Sequence, residues 1–367
     1  MADIISLKKA VSPLLRDAEK YHGFEIENRS IDDGDIEYSV FFQKPNEDPV
    51  PLSKPSLALF HGDPLLYDEE CRKLRDSRLS EVLSTEEFPR NLRNFEELQR
   101  AQKAKRITPF VGAGSSISAG CSSWVGYLRS KAIELGVDEA EVEKHLSEFL
   151  YEDLLEKVQS QPRGRDFEFY FEQDFSHADP EGSFSWVLPE LFDGCVITTN
   201  FDRVIEDCFS RQGASFTEKV TGLNNPYNFL KAITRGDRYL LKLHGNIDDP
   251  AYRVFTKREY CSAYGETEVV DMSFPLPVLL SLLYQSQSFL FLGCSLSVDR
   301  TIATFKRLVE EEGSQKVADH FAIIERPEDG EGQDQLATLM TDCNIKPIWY
   351  ESGQHYKVDD ILGLLLI

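Results

Sequence analysis

The stretch Phe110-Val111-Gly112-Ala113-Gly114-Ser115-Ser116-Ile117-Ser118-Ala119-Gly120 comes directly after an apolar run that begins at Ile107. This order predicts a buried strand, a tight glycine turn and then a helix. In nucleotide-binding folds such glycines let the backbone approach a pyrophosphate, and the N-terminus of the following helix attracts anions. A glycine turn alone has little specificity, so the interpretation depends on motifs in the downstream part of the chain.

Three further segments have the same form, an apolar run that ends in small or polar residues. They are residues 196–202 (VITTNFD), 240–246 (LLKLHGN) and 289–299 (FLFLGCSLSVD). Such runs are typical of buried parallel strands, and open α/β sheets bind ligands beyond the carboxyl ends of their strands. The pattern predicts an α/β fold with a Rossmann-like, doubly wound parallel sheet, in which Asn200, Asp202, His244 and Ser295 converge on one crevice.

Taken in order, the four motifs resemble those of the sirtuin (silent information regulator) family, and more closely its bacterial anti-phage branch of NAD-consuming proteins. The resemblance covers about residues 100–367. Gly112, Ala113, Gly114 and Ser116 match the GAGxS turn, and Thr199, Asn200 and Asp202 stand at the QN-x-D motif. His244 and Gly245 match the HG pair, and Gly293, Ser295, Leu296 and Val298 match GTSLxV.

Two departures separate the chain from protein-deacylating sirtuins. Those proteins carry Pro-Asp-Phe-Arg after the glycine turn, where this chain has residues 122–125 (SSWV). They also carry two Cys-x-x-Cys pairs that hold zinc, whereas the seven cysteines here, at 71, 121, 195, 208, 261, 294 and 343, form no such pair. We therefore expect no metal. Residues 122–125 and 255–260 (FTKREY) instead resemble the defence branch, which is known for hydrolysing NAD.

The resemblance implies NAD as the substrate and gives each matched residue a role. Cleaving the bond between ribose C1′ and nicotinamide passes through a cationic state, so the protein must position NAD and admit water. Asn200 and His244 are the predicted catalytic residues, the amide to hold water or a ribose hydroxyl and the imidazole to accept a proton near neutral pH. Asp202 would orient the carboxamide. The predicted cofactor-binding residues are Gly112, Ala113, Gly114, Ser116, Thr199, Asp202, Gly245, Gly293, Ser295 and, against the adenosine ribose, Glu325.

Three functions of different classes stay open from the sequence. The leading prediction is an NAD glycohydrolase that releases ADP-ribose and nicotinamide, as an abortive-infection effector against phage. The alternatives are an NAD-dependent protein deacylase and a non-catalytic sensor of NAD or ADP-ribose. The resemblance also implies a homo-oligomer and a partner such as a HerA-type hexameric ATPase or a short Argonaute.

Composition limits the other possibilities. With 63 acidic and 40 basic residues the formal net charge is -23, which argues against direct nucleic-acid binding because phosphate contacts need clustered Lys and Arg. The N-terminus does not read as a signal sequence, and no apolar run approaches the ~20 residues that span a bilayer. Together with the unpaired spacing of the cysteines, this predicts a cytoplasmic protein.

We predict two domains. Residues 1–100 read as an N-terminal α/β extension, with a strand at 36–42, a second apolar run at 57–60 and a charged helix from 68 to 106 that is interrupted at Pro89. This extension serves either as packing or for oligomerisation and partner docking. Residues 101–367 form the catalytic domain, in which residues 126–190 are a helical lobe, packed on the sheet or acting as a lid. Residues 322–325 read as a further strand and 361–367 as a core helix.

Overall fold

The computed structural model describes residues 20–36, 41–42, 48, 50–148, 150–175, 178–266, 270–296 and 299–366. The chain divides into two compact units, residues 1–82 and 83–367. The second unit begins before residue 100 because Asn91 and Asn94 each donate to the backbone of one strand, at the carbonyls of Trp349 (2.8 Å) and Pro347 (2.7 Å). The roles predicted for residues 1–100 stay predictions.

The first unit contains three helices and a two-stranded antiparallel ribbon among its described residues. They are α1 (Glu25–Asp33), β1 (Phe41–Phe42), β2 (Val50–Pro51), α2 (Pro55–Gly62) and α3 (Pro64–Val82). Tyr67 is its central side chain, fully buried against Phe60 and bonded to the Asn28 amide oxygen at 2.6 Å. The apolar run at 57–60 is helical, because Pro55 starts a helix there. Of the strand predicted at 36–42, residues 37–40 lie outside the described residues.

The second unit is built on a seven-stranded sheet in which every neighbouring pair is parallel. Its strands are β3 (Ile107–Val111), β4 (Val196–Thr198), β5 (Glu218–Thr221), β6 (Tyr239–Lys242), β7 (Ser288–Leu292), β8 (His320–Glu325) and β9 (Ile345–Tyr350). Across the sheet they stand in the order β5-β6-β4-β3-β7-β8-β9. The doubly wound α/β prediction is confirmed. The chain starts at β3, builds one side, and then crosses to β7 on the other side.

Helices connect the strands. They are α4 (Asn91–Lys103), α5 (Gly114–Ser118), α6 (Trp124–Glu134), α7 (Glu139–Ser147), α8 (Tyr151–Ser160), α9 (Asp166–Asp174), α10 (Leu188–Leu191), α11 (Val204–Arg211), α12 (Pro226–Arg235), α13 (Lys257–Tyr264), α14 (Pro275–Ser286), α15 (Arg300–Glu312), α16 (Gly330–Asp342) and α17 (Lys357–Leu365). Short 3-10 turns at Pro180–Gly182 and Phe184–Val187 precede α10. Helices α6 to α9 are the predicted insertion, and α17 is the predicted core helix.

Buried apolar clusters hold this unit together. Phe110, Phe289, Phe291 and Phe305 pack between the sheet and its helices, with Phe110 and Phe291 ring centroids 5.1 Å apart. The helical insertion has a core of its own that includes Phe167, Phe171 and Phe255. Within the described parts of the chain, no helix is long and apolar enough to cross a membrane.

The strand register places the four motifs in one line. Lys242, Thr198, Val111 and Leu292 are paired successively across β6, β4, β3 and β7. The predicted site residues of each motif therefore begin one or two residues beyond a single row of the sheet, at its carboxyl edge. The four strand ends therefore lie at one edge of the sheet, and the convergence of their polar side chains on one crevice stays a prediction.

Candidate active site

The turns after β3 and β7 touch each other through bare backbone. A Cβ on Gly112 would lie 2.7 Å from the Gly293 carbonyl oxygen, and a Cβ on Gly114 would lie 2.7 Å from the Gly293 Cα. Gly293 has a φ of +61°, and a Cβ there would lie 3.0 Å from the Gly114 Cα and the Ser115 nitrogen. The three glycines are thus explained by the contact of two loops. Gly112 and Gly114 need no unusual backbone angle.

The glycine turn differs in one respect from its sequence-based interpretation. Helix α5 has only five residues and ends before Gly120, whose φ is +93°. Few peptide dipoles are aligned in so short a helix, so its attraction for an anion is weaker than a long helix would supply. The amides of Gly112, Gly114 and Ser116 already donate to backbone carbonyls at 2.8 to 3.0 Å. Gly112 and Gly114 donate to Leu292 at the end of β7 and to Gly293 of the loop after it, and Ser116 donates to Ala113 within the turn, so these three amides are already used.

Asn200 is held by a chain of hydrogen bonds whose direction is fixed by chemistry. Its Nδ2 donates to the Gly112 carbonyl (2.8 Å) and to the Ser116 hydroxyl (2.9 Å), and Ser116 donates to the Asp202 Oδ2 (2.5 Å). Carbonyl and carboxylate oxygens only accept, so the amide nitrogen must face Gly112 and Ser116. Asn200 is 8% exposed. Its Oδ1 is therefore the atom that it can offer to a ligand.

Asp202 stabilises the loop that follows β4 and carries Asn200. Its Oδ1 accepts from the Val204 amide at 2.9 Å, at the start of α11, while Oδ2 accepts from Ser116. Both oxygens are thus bonded within the protein, and the residue is only 4% exposed. The geometry supports a capping and positioning role, and the contact with the carboxamide of NAD stays a prediction.

Lys242, the last residue of β6, lies under the same loop and is 1% exposed. Its Nζ donates to the carbonyls of Phe201 (3.0 Å) and Asp202 and pairs with Glu206 of α11 at 3.0 Å. A buried ammonium requires such partners, because its unpaired burial is costly. Lys242 therefore fixes the backbone that follows Asn200.

His244 follows the strand next to the one that precedes Asn200. Thr198 and Lys242 are paired, and the two candidate residues lie two positions beyond them on adjacent strands. The His244 Nε2 is 2.7 Å from the Tyr264 hydroxyl. Burial lowers the pKa of His244 from 6.5 to about 4, so the imidazole is neutral at pH 7. The sequence predicted an imidazole that accepts a proton near neutral pH, whereas the burial of His244 disfavours the imidazolium and moves its titration to lower pH.

Comparison with known proteins agrees with this geometry. Residues 194–348 match the model of a family described as the SIR2-like domain. This segment of the chain, which lacks the glycine turn at 112–116, is thus similar to a SIR2-like domain. A curated relative, the NAD(+) hydrolase ThsA of Cytobacillus dafuensis, is 24% identical over 206 residues, which are 55% of this chain and 37% of that protein. The chain thus matches little more than a third of the relative's length. The resemblance drawn from the motifs is confirmed.

The remaining predicted residues of the SIR2-like site are placed around this centre. The Thr199 amide lies 3.4 Å from the Val111 carbonyl, and Gly245, with a φ of +99°, packs against the backbone of Arg253. Ser295 is exposed two residues beyond Gly293, and Val298 lies outside the described residues. Glu325 ends β8 at the same edge of the sheet, but its carboxylate accepts from the Ser352 hydroxyl (3.0 Å) and the Gly353 amide (2.7 Å).

Several residues of the site were missed by sequence reasoning. Thr198 donates to the Val111 carbonyl (2.8 Å) and accepts from the Asn200 amide (3.0 Å), so it ties β4 to β3. The buried Ser115 hydroxyl bonds to those of Ser183 (3.0 Å) and Ser185 (2.6 Å) beneath the glycine turn. Thr198 could have been found from its place at the strand end, but nothing in the sequence relates residues 183 and 185 to residue 115.

Ion pairs join the helical insertion to the loops of the SIR2-like domain. Glu152 of α8 pairs with Arg300 at 2.9 Å, and Asp153 pairs with Lys257 at 2.5 Å. Phe201, between the two candidate residues of its motif, packs on Phe171 of α9 with ring centroids 5.5 Å apart. The insertion therefore packs directly on the loop that carries Asn200. Among the described residues, no cluster of three His, Cys, Asp or Glu side chains could hold a metal ion.

Proposed function

We propose that the SIR2-like domain hydrolyses NAD to ADP-ribose and nicotinamide. The observation that carries this proposal is the strand register, in which Asn200 and His244 each follow two residues after the paired Thr198 and Lys242 on adjacent strands. The similarity to a protein named NAD(+) hydrolase supports the same reaction. An amide and an imidazole at adjacent strand ends suit a reaction that needs positioning of a water molecule more than a strong nucleophile.

In this reaction the bond from ribose C1′ to the nicotinamide nitrogen breaks, and its electron pair stays on the nitrogen. A water oxygen then bonds to C1′ and loses one proton. We assign the Asn200 Oδ1 to the water or a ribose hydroxyl, since both amide hydrogens are already used. The lowered pKa of His244 suits the cationic state, because a neutral imidazole avoids the repulsion that an imidazolium would exert on it.

The direct test is nicotinamide release from NAD by the purified chain in ¹⁸O-labelled water, with and without an acetyl-lysine peptide. Hydrolysis predicts peptide-independent release and one ¹⁸O in ADP-ribose. Asn200→Ala and His244→Ala should each lose about 100-fold or more in kcat, while His355→Ala, an exposed histidine outside the site, should match the parent. The double variant should be no slower than the worse single one, because groups that act together are not additive.

The same assay separates the alternatives. Release that requires the peptide and yields an acylated ADP-ribose would establish a deacylase. Binding of ADP-ribose without any release of nicotinamide would establish a sensor. Full hydrolysis by Asn200→Ala would contradict the mechanism.

The wider role is inferred from the chemistry of the reaction. Loss of NAD stops growth, so we propose that the activity serves abortive infection in defence against phage and is restrained until triggered. A homo-oligomer and a partner such as a HerA-type ATPase or a short Argonaute are the proposed means of control, with residues 1–82 as the docking element. Light scattering of the full chain against residues 83–367, together with phage challenge of cells that carry Asn200→Ala, tests these points.

A further inference from the structure

A line of buried hydroxyl groups leads away from His244. The Tyr264 hydroxyl lies 2.7 Å from the His244 Nε2 and 3.0 Å from the Thr301 hydroxyl oxygen. All three residues are buried, with exposed fractions of 7% for His244, 1% for Tyr264 and 3% for Thr301. The Thr301 hydroxyl in turn lies against the Asp299 carboxylate, which caps α15 by accepting from the Ile302 amide at 2.9 Å.

The local sequence explains why Tyr264 reaches His244. Thr256 and Glu259 form a reciprocal capping box that starts α13, and Gly265, with a φ of +95°, comes after its last residue. Tyr264 is thus the final residue of a helix that is fixed at both ends. One turn earlier Tyr260 stacks on Tyr264 (6.0 Å, 18°), and its ring meets the His244 ring edge-on at 5.4 Å. Two tyrosines therefore touch the imidazole, and Tyr264 is the one that bonds to its Nε2.

Asp299, the last residue in this series of contacts, sets which group donates in each hydrogen bond. Burial raises the pKa of Asp299, but the amides at the start of α15 and the Thr301 hydroxyl stabilise its charged form. A carboxylate can only accept, so the Thr301 hydroxyl donates its single proton to Asp299. The Thr301 oxygen then accepts from Tyr264, whose proton is retained because burial raises the pKa of its phenol well above 10. The Tyr264 oxygen is left to accept from the imidazole. Nε2 must therefore carry the hydrogen of the neutral ring.

We infer that Tyr264, set by Thr301, is the positioning residue for His244, and that it holds the imidazole in the Nε2–H tautomer with the lone pair on Nδ1. Tyr264 does not contact substrate in this scheme. Its effect on catalysis rests on the proposed NAD hydrolysis, in which Nδ1 is the nitrogen that can accept the proton from water. Its effect on the tautomer does not depend on that function.

The test is ¹⁵N NMR of the full chain labelled at histidine, which distinguishes a protonated from an unprotonated ring nitrogen. His244→Ala identifies the signals among the seven histidines. We expect a protonated Nε2 and a bare Nδ1 at pH 7. Tyr264→Phe should give a mixture of tautomers. Thr301→Val should shift the ring toward Nδ1–H, because Tyr264 loses its acceptor and turns its proton to Nε2. Tyr260→Phe is the matched control and should leave the signals unchanged.

Kinetics provide the second readout. Tyr264→Phe and Thr301→Val should lower kcat at least about 10-fold with little change in KM, since general-base catalysis needs the correct tautomer, while Tyr260→Phe should stay within about twofold of the parent. A parent ring protonated at Nδ1, or tautomers unmoved in both variants, would overturn the inference. Tautomers that shift as expected in a chain without NAD hydrolysis would uphold the inference and refute the proposed function instead.

Discussion

The two halves of the candidate site are built in different ways. On the β3–β7 side, two loops meet through Gly112, Gly114 and Gly293, and the contact is between backbone atoms. On the β4–β6 side, buried side chains hold the loops: Lys242 binds two carbonyls, Asp202 caps a helix, and Tyr264 binds His244. The backbone half has no room for any added atom, whereas the side-chain half depends on charge and hydrogen-bond direction.

This difference predicts two kinds of failure. A substitution in the backbone half should separate the loops and remove binding and stability together. A substitution in the side-chain half can keep the fold and change only the position of one group. To test this contrast, we pair each variant with a control. The control changes a residue of the same type at a position that makes fewer contacts.

The largest effect is expected for Gly114→Val. A Cβ at this position would lie 2.7 Å from the Gly293 Cα, and backbone on both sides cannot yield as a flexible side chain can. We expect a loss of about 3 kcal/mol or more in the free energy of unfolding, and a large rise in the Kd for ADP-ribose. Urea unfolding and calorimetry measure the two quantities.

The matched control is Gly363→Ala, in helix α17, where an added Cβ meets nothing within 4 Å. Alanine favours a helix over glycine, so this variant should be neutral or more stable by up to about 1 kcal/mol. If Gly114→Val were as stable as the parent, the β3 and β7 loops would not be in backbone contact.

A loss of stability of similar size, without the loss of loop contact, is expected for Lys242→Met. This change removes the buried ammonium and leaves Glu206 and two carbonyls without their partner, which typically costs about 3–5 kcal/mol. Denaturant unfolding should show this loss, and adding Glu206→Gln should recover part of it. Lys219→Met is the control: Lys219 is half exposed and stands 3.9 Å from the same carboxylate, so we expect a change below about 1 kcal/mol. Equal losses in the two lysine variants would refute the positioning role of Lys242.

The positions of the strand ends in both halves of the site could be predicted from the sequence. The common row Lys242, Thr198, Val111, Leu292 was predictable in outline, because buried apolar runs with polar ends are typical of parallel strands in such sheets. The strand pattern therefore located Asn200 and His244 at one edge.

The partners of these residues could not be predicted, because they come from distant segments. Nothing in the apolar pattern relates Tyr264 to His244, and the titration of His244 depends on how closely the surrounding helices bury it. The glycines were predicted to approach a pyrophosphate, which stays a prediction, and their contact with each other depends on two loops about 180 residues apart in sequence. The sequence predicted a helix after the glycine turn but not its length, and helix α5 ends at Ser118, before Gly120.

A smaller effect is expected for Asp202→Asn. The amide can still accept from Val204, but its nitrogen cannot accept from Ser116, so the chain that orients Asn200 loses its obligate acceptor. We expect a loss of about 1–2 kcal/mol in stability and a lower kcat. Asp179→Asn, which alters the cap of an exposed 3-10 turn, should leave kcat unchanged. A raised KM for NAD at constant stability and kcat would instead favour direct contact of Asp202 with the carboxamide.

The smallest effect concerns pH and compares His244 at the carboxyl edge of the sheet with His320 at the opposite edge. Burial lowers the pKa of His320 to about 3 and that of His244 to about 4, below the 6.5 of an unfolded histidine. Between the folded and the unfolded pKa of each histidine, the unfolded chain therefore binds more protons than the folded chain. The contribution of these two histidines to the free energy of unfolding is fully present above pH 6.5. It is lost as the pH falls toward 4 for His244 and toward 3 for His320. For each histidine the free energy of unfolding should drop by about 1 kcal/mol from pH 6.5 to 5.5. His320→Phe should reduce the total drop by this amount while nicotinamide release at pH 7 keeps the parent's rate, and urea titrations at the two pH values measure it. An unchanged slope in His320→Phe would show that acid acts on other groups.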